Sequence, residues 1–215
     1  YVHDINLISA AIGVVFGDNK WWEEDFVPHF EPLWVNSPWS NSSSFNGNDN
    51  AIKAYVNPFQ TEGLLIELDK KRIVEWLKNN EFPSELRRKS NSEILMKLSK
   101  YSEESYRLLE TLIHTYSHLI LKRSALYSGI DESSCSEMLF PEVGALFIYS
   151  TAPIKTGGLQ HAFESSLKKW VGDMKLEVSD CTMDPLCIRE TGSCFSCLHV
   201  PEFVCCNFNK RLDRE

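Results

Sequence analysis

The 215-residue chain carries 22 Lys and Arg against 30 Asp and Glu residues, a net charge of −8 at pH 7. Proteins that bind nucleic acid alone usually have a basic surplus, so contact with DNA or RNA here requires a local basic patch or a partner. A hydrophobic fraction of 43% is enough for a genuine core and excludes a disordered tail.

The length fits one large domain or two small ones. The sequence has no run of 18 apolar residues and no opening signal peptide, so we expect a cytoplasmic protein. Because the sequence begins at Tyr1, it is also compatible with being a fragment of a longer protein.

The first 50 residues read as a loop-rich segment. A short strand or helix is expected around Ile8 to Phe16, and the Ser/Asn/Gly-rich run from Ser40 to Asn50 is expected to be a solvated loop. The tryptophans between these two stretches are interpreted as anchors that hold the loops to a core. A platform on which nucleic-acid bases stack is the alternative. We therefore divide the chain into residues 1–50 and a domain at 51–215.

Regular structure is predicted from residue 51 onward. Apolar runs predict strands at 51–56 and Gly63 to Leu68, and Asp69 is placed to cap a helix from Lys70 to Asn79. After a link containing Pro83 comes a polar stretch with the most basic triplet in the chain, Arg87-Arg88-Lys89.

The second half of the sequence is predicted to form a longer helix, a strand and another helix. Apolar residues at three-to-four spacing predict one helix from Ser102 to Tyr127, ended by Gly129. A buried strand at Val143 to Tyr149 and a helix at about Leu159 to Trp170 follow. The Gly157-Gly158 pair before that helix favours a tight turn or close packing over a phosphate site, because no phosphate-binding glycine pattern is present.

Two histidines lie four residues apart on the long helix. His114 and His118 share a helix face, as in zinc proteases, but Thr115 occupies the position of the glutamate that serves as general base. The pair is therefore interpreted as buried structural histidines, or as a polar seam that faces a site or a partner.

The stretch from Cys181 to Cys206 holds six of the seven cysteines. The C-x-x-C turn of Cys194 and Cys197 lets two thiolates converge on one ion, and flanking thiolates can complete a tetrahedron. Sulfur ligands favour zinc over calcium, magnesium or manganese. An iron–sulfur cluster, a disulfide framework and reduced structural thiols remain alternatives.

These pieces occur in an order that resembles a known family. A helix with HTYSHLIL, a strand with GALFIYSTA and a helix start with TGGLQ precede CTMDPLC, CFSCLHVPEFVC and NKRLDR. The series resembles the C-terminal domain of DrmB, a component of the DISARM anti-phage system, and is similar to the metal-binding domain of MrfA-type repair helicases. The resemblance covers residues 105–215 well and 51–80 more weakly, and DrmB proteins are larger than this chain.

The resemblance implies a four-cysteine metal site in a helicase-associated module that works with a helicase subunit, DrmA-like, and with DNA. Carried over by position, the first candidate zinc ligands are Cys187, Cys194, Cys197 and Cys205. Cys181 is a fifth candidate and Cys206 an extra neighbour, so the fourth ligand stays open.

Two functions compete. A non-catalytic zinc module is favoured, because a site of thiolates alone is coordinatively closed. The alternative is a metal-dependent hydrolase or nuclease that uses His114, His118 and Asp184, which requires an open metal position.

Candidate phosphate contacts are Lys122, Arg123, Lys210 and Arg211, with Arg87 to Lys89 as a separate patch. The expected fold is α/β of the mixed α+β kind: a small sheet packed on the long helix, with a four-cysteine zinc knuckle folded back on it.

Overall fold

A computed structural model describes residues 1–11, 13–16, 29–32, 55–80, 82–152, 156–179, 181–190 and 192–214. It forms two compact units, one of Tyr1–Ile5 with Gln60–Glu215 and the other of Asn6–Phe59. The Ser40 to Asn50 loop and the tryptophans of the first 50 residues lie outside the described residues. Among the residues described, no helix is both long enough and apolar enough to cross a membrane.

The described strands and α-helices come in separate runs, as is typical of a mixed α+β fold: four strands, then four helices, then two strands, then three helices. The strands are β1 (Val2–Ala11), β2 (Gly13–Phe16), β3 (His29–Pro32), β4 (Tyr55–Glu67), β5 (Cys135–Phe140) and β6 (Ala145–Ser150). The α-helices are α1 (Lys70–Asn79), α2 (Asn91–Tyr101), α3 (Glu103–Lys122), α4 (Ser124–Ser128), α5 (Gly158–Ser165), α6 (Leu167–Ser179) and α7 (Leu186–Glu190). This confirms the fold class expected from the sequence.

The main sheet has the strand order β1-β4-β6-β5, and β6 pairs antiparallel with both β4 and β5. Every residue of β6 is buried, as its apolar run predicts. A short 3-10 turn at Pro141–Val143 joins β5 to β6, and Gly144 completes it at φ 68, where a side chain would be strained. The predicted strand at Val143 to Tyr149 therefore starts two residues later. In the smaller unit, β2 pairs antiparallel with β3.

Helix α1 begins and ends as predicted. The side chain of Asp69 accepts hydrogen bonds from the backbone N–H groups of Lys71 and Arg72, at 2.9 and 3.3 Å, and the apolar side of the helix is buried. Helix α2 was not predicted, although its sequence carries a start signal. Ser90 and Glu93 form a reciprocal capping box at its N-terminus.

Two helices predicted to be continuous are each broken. The helix predicted from Ser102 to Tyr127 ends at Lys122, because Arg123 leaves helical geometry at φ −105 and ψ 1 before α4 begins. The helix predicted from Leu159 to Trp170 is interrupted at Ser166. Ser166 leaves helical geometry at φ −134 and ψ 0, and its hydroxyl donates to the carbonyl oxygen of Ala162 at 3.3 Å.

Helix α3 lies at the centre of the larger unit, in contact with β5, β6 and α6. Its buried face includes Leu109 and Ile113, and the indole N–H of Trp170 on α6 donates to the carbonyl oxygen of Ile120 at 3.3 Å. The same helix buries both His114 and His118 completely. The elements that surround α3 therefore determine what these histidines contact.

The Gly157-Gly158 pair serves a turn and a close approach. Gly157 has φ 70 and precedes α5, whereas a Cβ atom on Gly158 would lie 2.3 Å from the carbonyl oxygen of Ser128. Both glycines are thus required by backbone geometry, in agreement with the turn-or-packing interpretation.

Candidate metal centre

Four cysteine side chains converge in the C-terminal part of the chain. Cys181 precedes a turn, Cys187 lies in α7, and Cys194 and Cys197 belong to the C-x-x-C turn. Their Sγ atoms all lie within 4.8 Å of one another, with Cys181 to Cys194 at 3.5 Å and Cys197 to both Cys187 and Cys194 at 3.7 Å. Zinc–sulfur bonds of about 2.3 Å give a tetrahedron with edges of about 3.8 Å, so these separations suit four thiolates around one zinc ion.

The backbone holds these sulfur atoms in turns. The carbonyl oxygen of Cys194 accepts hydrogen bonds from the N–H groups of Cys197 and Leu198, at 3.1 and 2.9 Å. Backbone N–H groups also point at sulfur, from Met183 to Cys181 at 3.4 Å and from Cys194 to Cys197 at 3.2 Å. Such donors stabilise thiolates, which are the form of cysteine that binds metal.

The disulfide alternative does not match the geometry. All seven cysteines are free thiols. The shortest of the separations above, 3.5 Å between Cys181 and Cys194, is far from the roughly 2.05 Å of a disulfide bond. The arrangement is that of ligands spread around a centre.

The thiols differ in how readily they ionise. Burial raises the pKa of Cys194, but hydrogen bonds from the Cys181 side chain and from the backbone N–H groups of Ser196 and Cys197 outweigh it and lower the pKa to about 7. Burial dominates at Cys197, whose pKa rises to about 12, and it also raises the pKa of Cys187. A cation bound between the four sulfur atoms would remove the proton from each coordinating thiol.

Asp184 supports this cysteine group from outside. One of its carboxylate oxygens lies 2.6 Å from the guanidinium of the buried Arg214, and the other accepts from the backbone N–H of Cys181 at 3.2 Å. The ion pair with Arg214 is the main cause that lowers the pKa of Asp184. The carboxylate that the hydrolase alternative requires is thus bound to Arg214 and next to the cysteine group.

Cys205 lies in a second cluster, with His114, His118 and Glu137. One donor atom from each of these four residues lies within 4.8 Å of the others. The four-sulfur group accordingly contains Cys181 as its fourth member, and the two predicted histidines meet the remaining predicted cysteine. Cys206 is exposed and is a member of neither cluster, although its Sγ atom lies 4.0 Å from the Glu137 oxygen that faces the histidines.

Glu137 was missed by sequence reasoning. In β5 the residues Cys135 and Glu137 are buried and alternate with more exposed neighbours, so the carboxylate points to the inner face of the strand. Alternation along β5 gives no clear sequence signal for this, because the opposite face carries Met138 and Phe140 and is at least as apolar as the buried one.

The predicted phosphate contacts differ in their surroundings. Lys122 is half-buried, with its Nζ atom 3.8 Å from a carboxylate oxygen of Glu132, and Arg211 forms a 2.5 Å ion pair with Glu110. Lys210 is exposed, as is the Arg87-Arg88-Lys89 triplet. Pairing with acids reduces the positive field that Lys122 and Arg211 offer to a phosphate.

No family model matches the chain. The chain is similar to the DISARM protein DrmB of Bacillus paralicheniformis, with 25% identity over 233 aligned residues that cover 99% of the chain. It spans 39% of the length of that protein. This distant similarity agrees with the resemblance of the motifs to DrmB.

Proposed function

We propose that the chain is a non-catalytic zinc-binding module of a DISARM-like anti-phage defence complex, in which it docks a helicase subunit and helps to engage DNA. The observation that carries the proposal is the convergence of Cys181, Cys187, Cys194 and Cys197. Four thiolates complete the coordination of zinc, so such an ion stabilises the fold and leaves no position for substrate. The similarity to the DISARM protein DrmB supplies the biological setting.

The zinc holds the C-terminal segment in its folded form. Between the cysteines, α7 has only five residues, and the segment from 192 to 214 consists of turns. A five-residue helix and isolated turns have little stability of their own. The zinc ion stabilises them by linking them into one folded unit. Persistent thiolates also require a reducing compartment, which is why the cytoplasm is proposed.

A hydrolase has weaker support. The metal-binding atoms of the sulfur group are all thiolates, whereas catalytic zinc sites keep an exchangeable position. Asp184 is held by Arg214, and the two histidines are completely buried beside Glu137 and Cys205. The similarity of motifs to repair helicases makes a DNA-repair complex the alternative setting for the same module.

The test of this function is phage resistance. The protein is expressed with the other components of the proposed defence complex, either unchanged or as Cys197→Ser, and phage plating efficiency is measured. We expect Cys197→Ser to abolish most of the protection, with co-purification of the helicase subunit lost in parallel. Cys206→Ser, which alters an exposed thiol outside both clusters, serves as the control. Full protection by a Cys197→Ser protein lacking the metal would refute the proposal.

DNA engagement is tested separately on the assembled complex. Lys210 is exposed and lies in the NKRLDR motif, where a phosphate contact is proposed. Lys210→Glu is expected to weaken binding uniformly across sequences and to reduce its salt dependence, because a phosphate contact carries no sequence information and releases counterions. Lys100→Glu changes charge equally at an exposed position of α2 and serves as the matched control. Equal DNA affinity of both variants would remove Lys210 from the contact surface.

A further inference from the structure

The second cluster joins three separate parts of the chain in a dry site. His114 and His118 come from α3, Glu137 from β5, and Cys205 from the C-terminal segment. The histidines are 0% exposed, and Glu137 and Cys205 are 4% exposed. We propose that these four residues bind a second zinc ion, distinct from the ion of the four-cysteine group.

In both histidines the ring nitrogen on the side away from the cluster, Nδ1, faces a backbone carbonyl oxygen. Nδ1 of His114 lies 3.2 Å from the carbonyl oxygen of Arg211, and Nδ1 of His118 lies 2.8 Å from that of Leu198. A carbonyl oxygen only accepts, so Nδ1 carries the hydrogen in both rings. A neutral imidazole then has its lone pair on Nε2, and both Nε2 atoms point into the cluster. Metal-binding histidines are commonly fixed by a hydrogen bond of this kind.

The acidic ligands are held in the same way. One oxygen of Glu137 accepts the hydroxyl of Ser117, and the other lies 3.2 Å from Nε2 of His114 and 3.4 Å from Nε2 of His118. The sulfur of Cys205 accepts two backbone N–H groups, from Asn207 at 3.3 Å and Asn209 at 3.2 Å. These hydrogen bonds lie on the outer side of Glu137 and Cys205, so each of the two residues keeps a lone pair that is directed into the cluster.

One atom of the cluster has an unmet requirement. Among the described residues, Nε2 of His118 has no hydrogen-bond partner of good geometry, although the residue is completely buried. A buried polar nitrogen without a partner costs free energy comparable to a lost hydrogen bond. A metal ion at the centre would supply the missing partner and would use the other three donors as well.

A cluster held by protons alone satisfies these groups less well. Protonating both rings would place two imidazolium groups side by side, with the ring centroids of His114 and His118 only 4.4 Å apart in a buried site. Like charges at this distance disfavour each other where water is excluded. One dication neutralises the carboxylate and the thiolate and leaves both rings neutral.

The donor set and its spacing indicate zinc. Two nitrogens, one oxygen and one sulfur suit an ion of borderline softness, and a thiolate argues against calcium or magnesium. Bonds of about 2.0 to 2.3 Å imply donor separations of about 3.3 to 3.6 Å around a tetrahedron. The separations from Nε2 of His114 to Glu137 and to Cys205, both 3.2 Å, are close to these values.

The two sites share a segment of chain. Leu198 follows Cys197 of the sulfur group, its N–H donates to Cys194, and its carbonyl oxygen is the acceptor for His118. The second ion would therefore attach the sulfur-bound segment to α3 and β5.

The experiment measures zinc content and X-ray absorption on the chain purified without added metal. We expect two zinc ions per chain, with five sulfur and three nitrogen or oxygen ligands over the two ions. Cys205→Ser is expected to remove one ion and to leave a shell of sulfur alone. Two controls are expected to retain both ions: Cys206→Ser, which keeps a hydrogen-bond donor beside Glu137, and Cys135→Ser at a buried thiol outside both clusters.

Two results would overturn the second site: one zinc per chain with sulfur ligands only, or two ions that Cys205→Ser leaves unchanged. If Cys205→Ser does not fold, the ligand ratio measured on the unchanged chain decides. Loss of the all-sulfur signal in Cys194→Ser reports on the four-cysteine site alone, so failures of the two sites are distinguishable.

Discussion

Nε2 of His114 lies 3.2 Å from Sγ of Cys205, although 91 positions separate the two residues along the chain. The backbone N–H of Asp213 also donates to the hydroxyl of Thr115 at 3.1 Å. Helix α3 therefore receives the C-terminal segment along one buried face. Changes that disturb α3 or its neighbours are expected to affect the metal-binding segment as well.

Gly158→Ala tests the close approach between α5 and the end of α4. The new Cβ atom would lie 2.3 Å from the carbonyl oxygen of Ser128 and 3.1 Å from Cγ1 of Ile130. Because a backbone oxygen cannot move aside readily, we expect a loss of about 1–3 kcal/mol in the free energy of unfolding. Urea denaturation followed by circular dichroism measures it.

Gly172→Ala is the matched control, because this helical glycine of α6 has open space around its added Cβ atom. Alanine loses less conformational entropy in a helix, so we expect a gain of about 0.5–1 kcal/mol. Equal effects of the two substitutions would contradict the packing described for Gly158.

Asp184→Asn tests whether this carboxylate is structural. The substitution removes the 2.6 Å ion pair with Arg214, whose side chain is 1% exposed, and leaves that charge poorly compensated. We expect a lower urea midpoint and faster loss of metal to a chelator. Glu190→Gln alters an exposed acid on α7 and should leave both unchanged. An Asp184→Asn protein of normal stability that had lost a hydrolytic activity would instead support the catalytic alternative.

Glu93 gives a prediction for pH dependence. Hydrogen bonds from the backbone and side chain of Ser90 lower the pKa of Glu93 in the folded protein. A lowered folded pKa stabilises the fold above the unfolded value, about 4.3, and this contribution disappears as the pH falls through the folded pKa. The stability difference between the unchanged protein and Glu93→Gln should therefore shrink on acidification from pH 6 to pH 3. A constant difference would mean that the capping box contributes nothing through charge.

Local chemistry allowed much of the fold to be predicted. The Asp69 cap, the apolar run of β6 and the fold class follow from neighbouring residues, and the structure confirms them. Helix ends were harder, because the breaks at Arg123 and Ser166 interrupt apolar patterns that continue beyond them. Helix α2 was overlooked although its capping box is present in the sequence.

The metal ligands show the limit of reasoning from spacing. Cys194 and Cys197 are paired by a local turn, so their convergence was predictable. Whether Cys181 or Cys205 completes the group depends on where the chain passes after Val200, which spacing does not encode. Glu137 reaches the histidines because β5 packs on α3. The hydrogen bond from the Ser117 hydroxyl to Glu137, for example, joins residues that are 20 positions apart.

The measurement that tests the central claim most directly is the zinc count of Cys181→Ser by native mass spectrometry, beside Cys206→Ser. Because Cys181 lies 3.5 Å from Cys194 in the four-sulfur group, we expect Cys181→Ser to contain one zinc ion fewer than the unchanged chain. Cys206→Ser should match the unchanged chain. A Cys181→Ser protein with its full complement of zinc would contradict the four-cysteine centre described here.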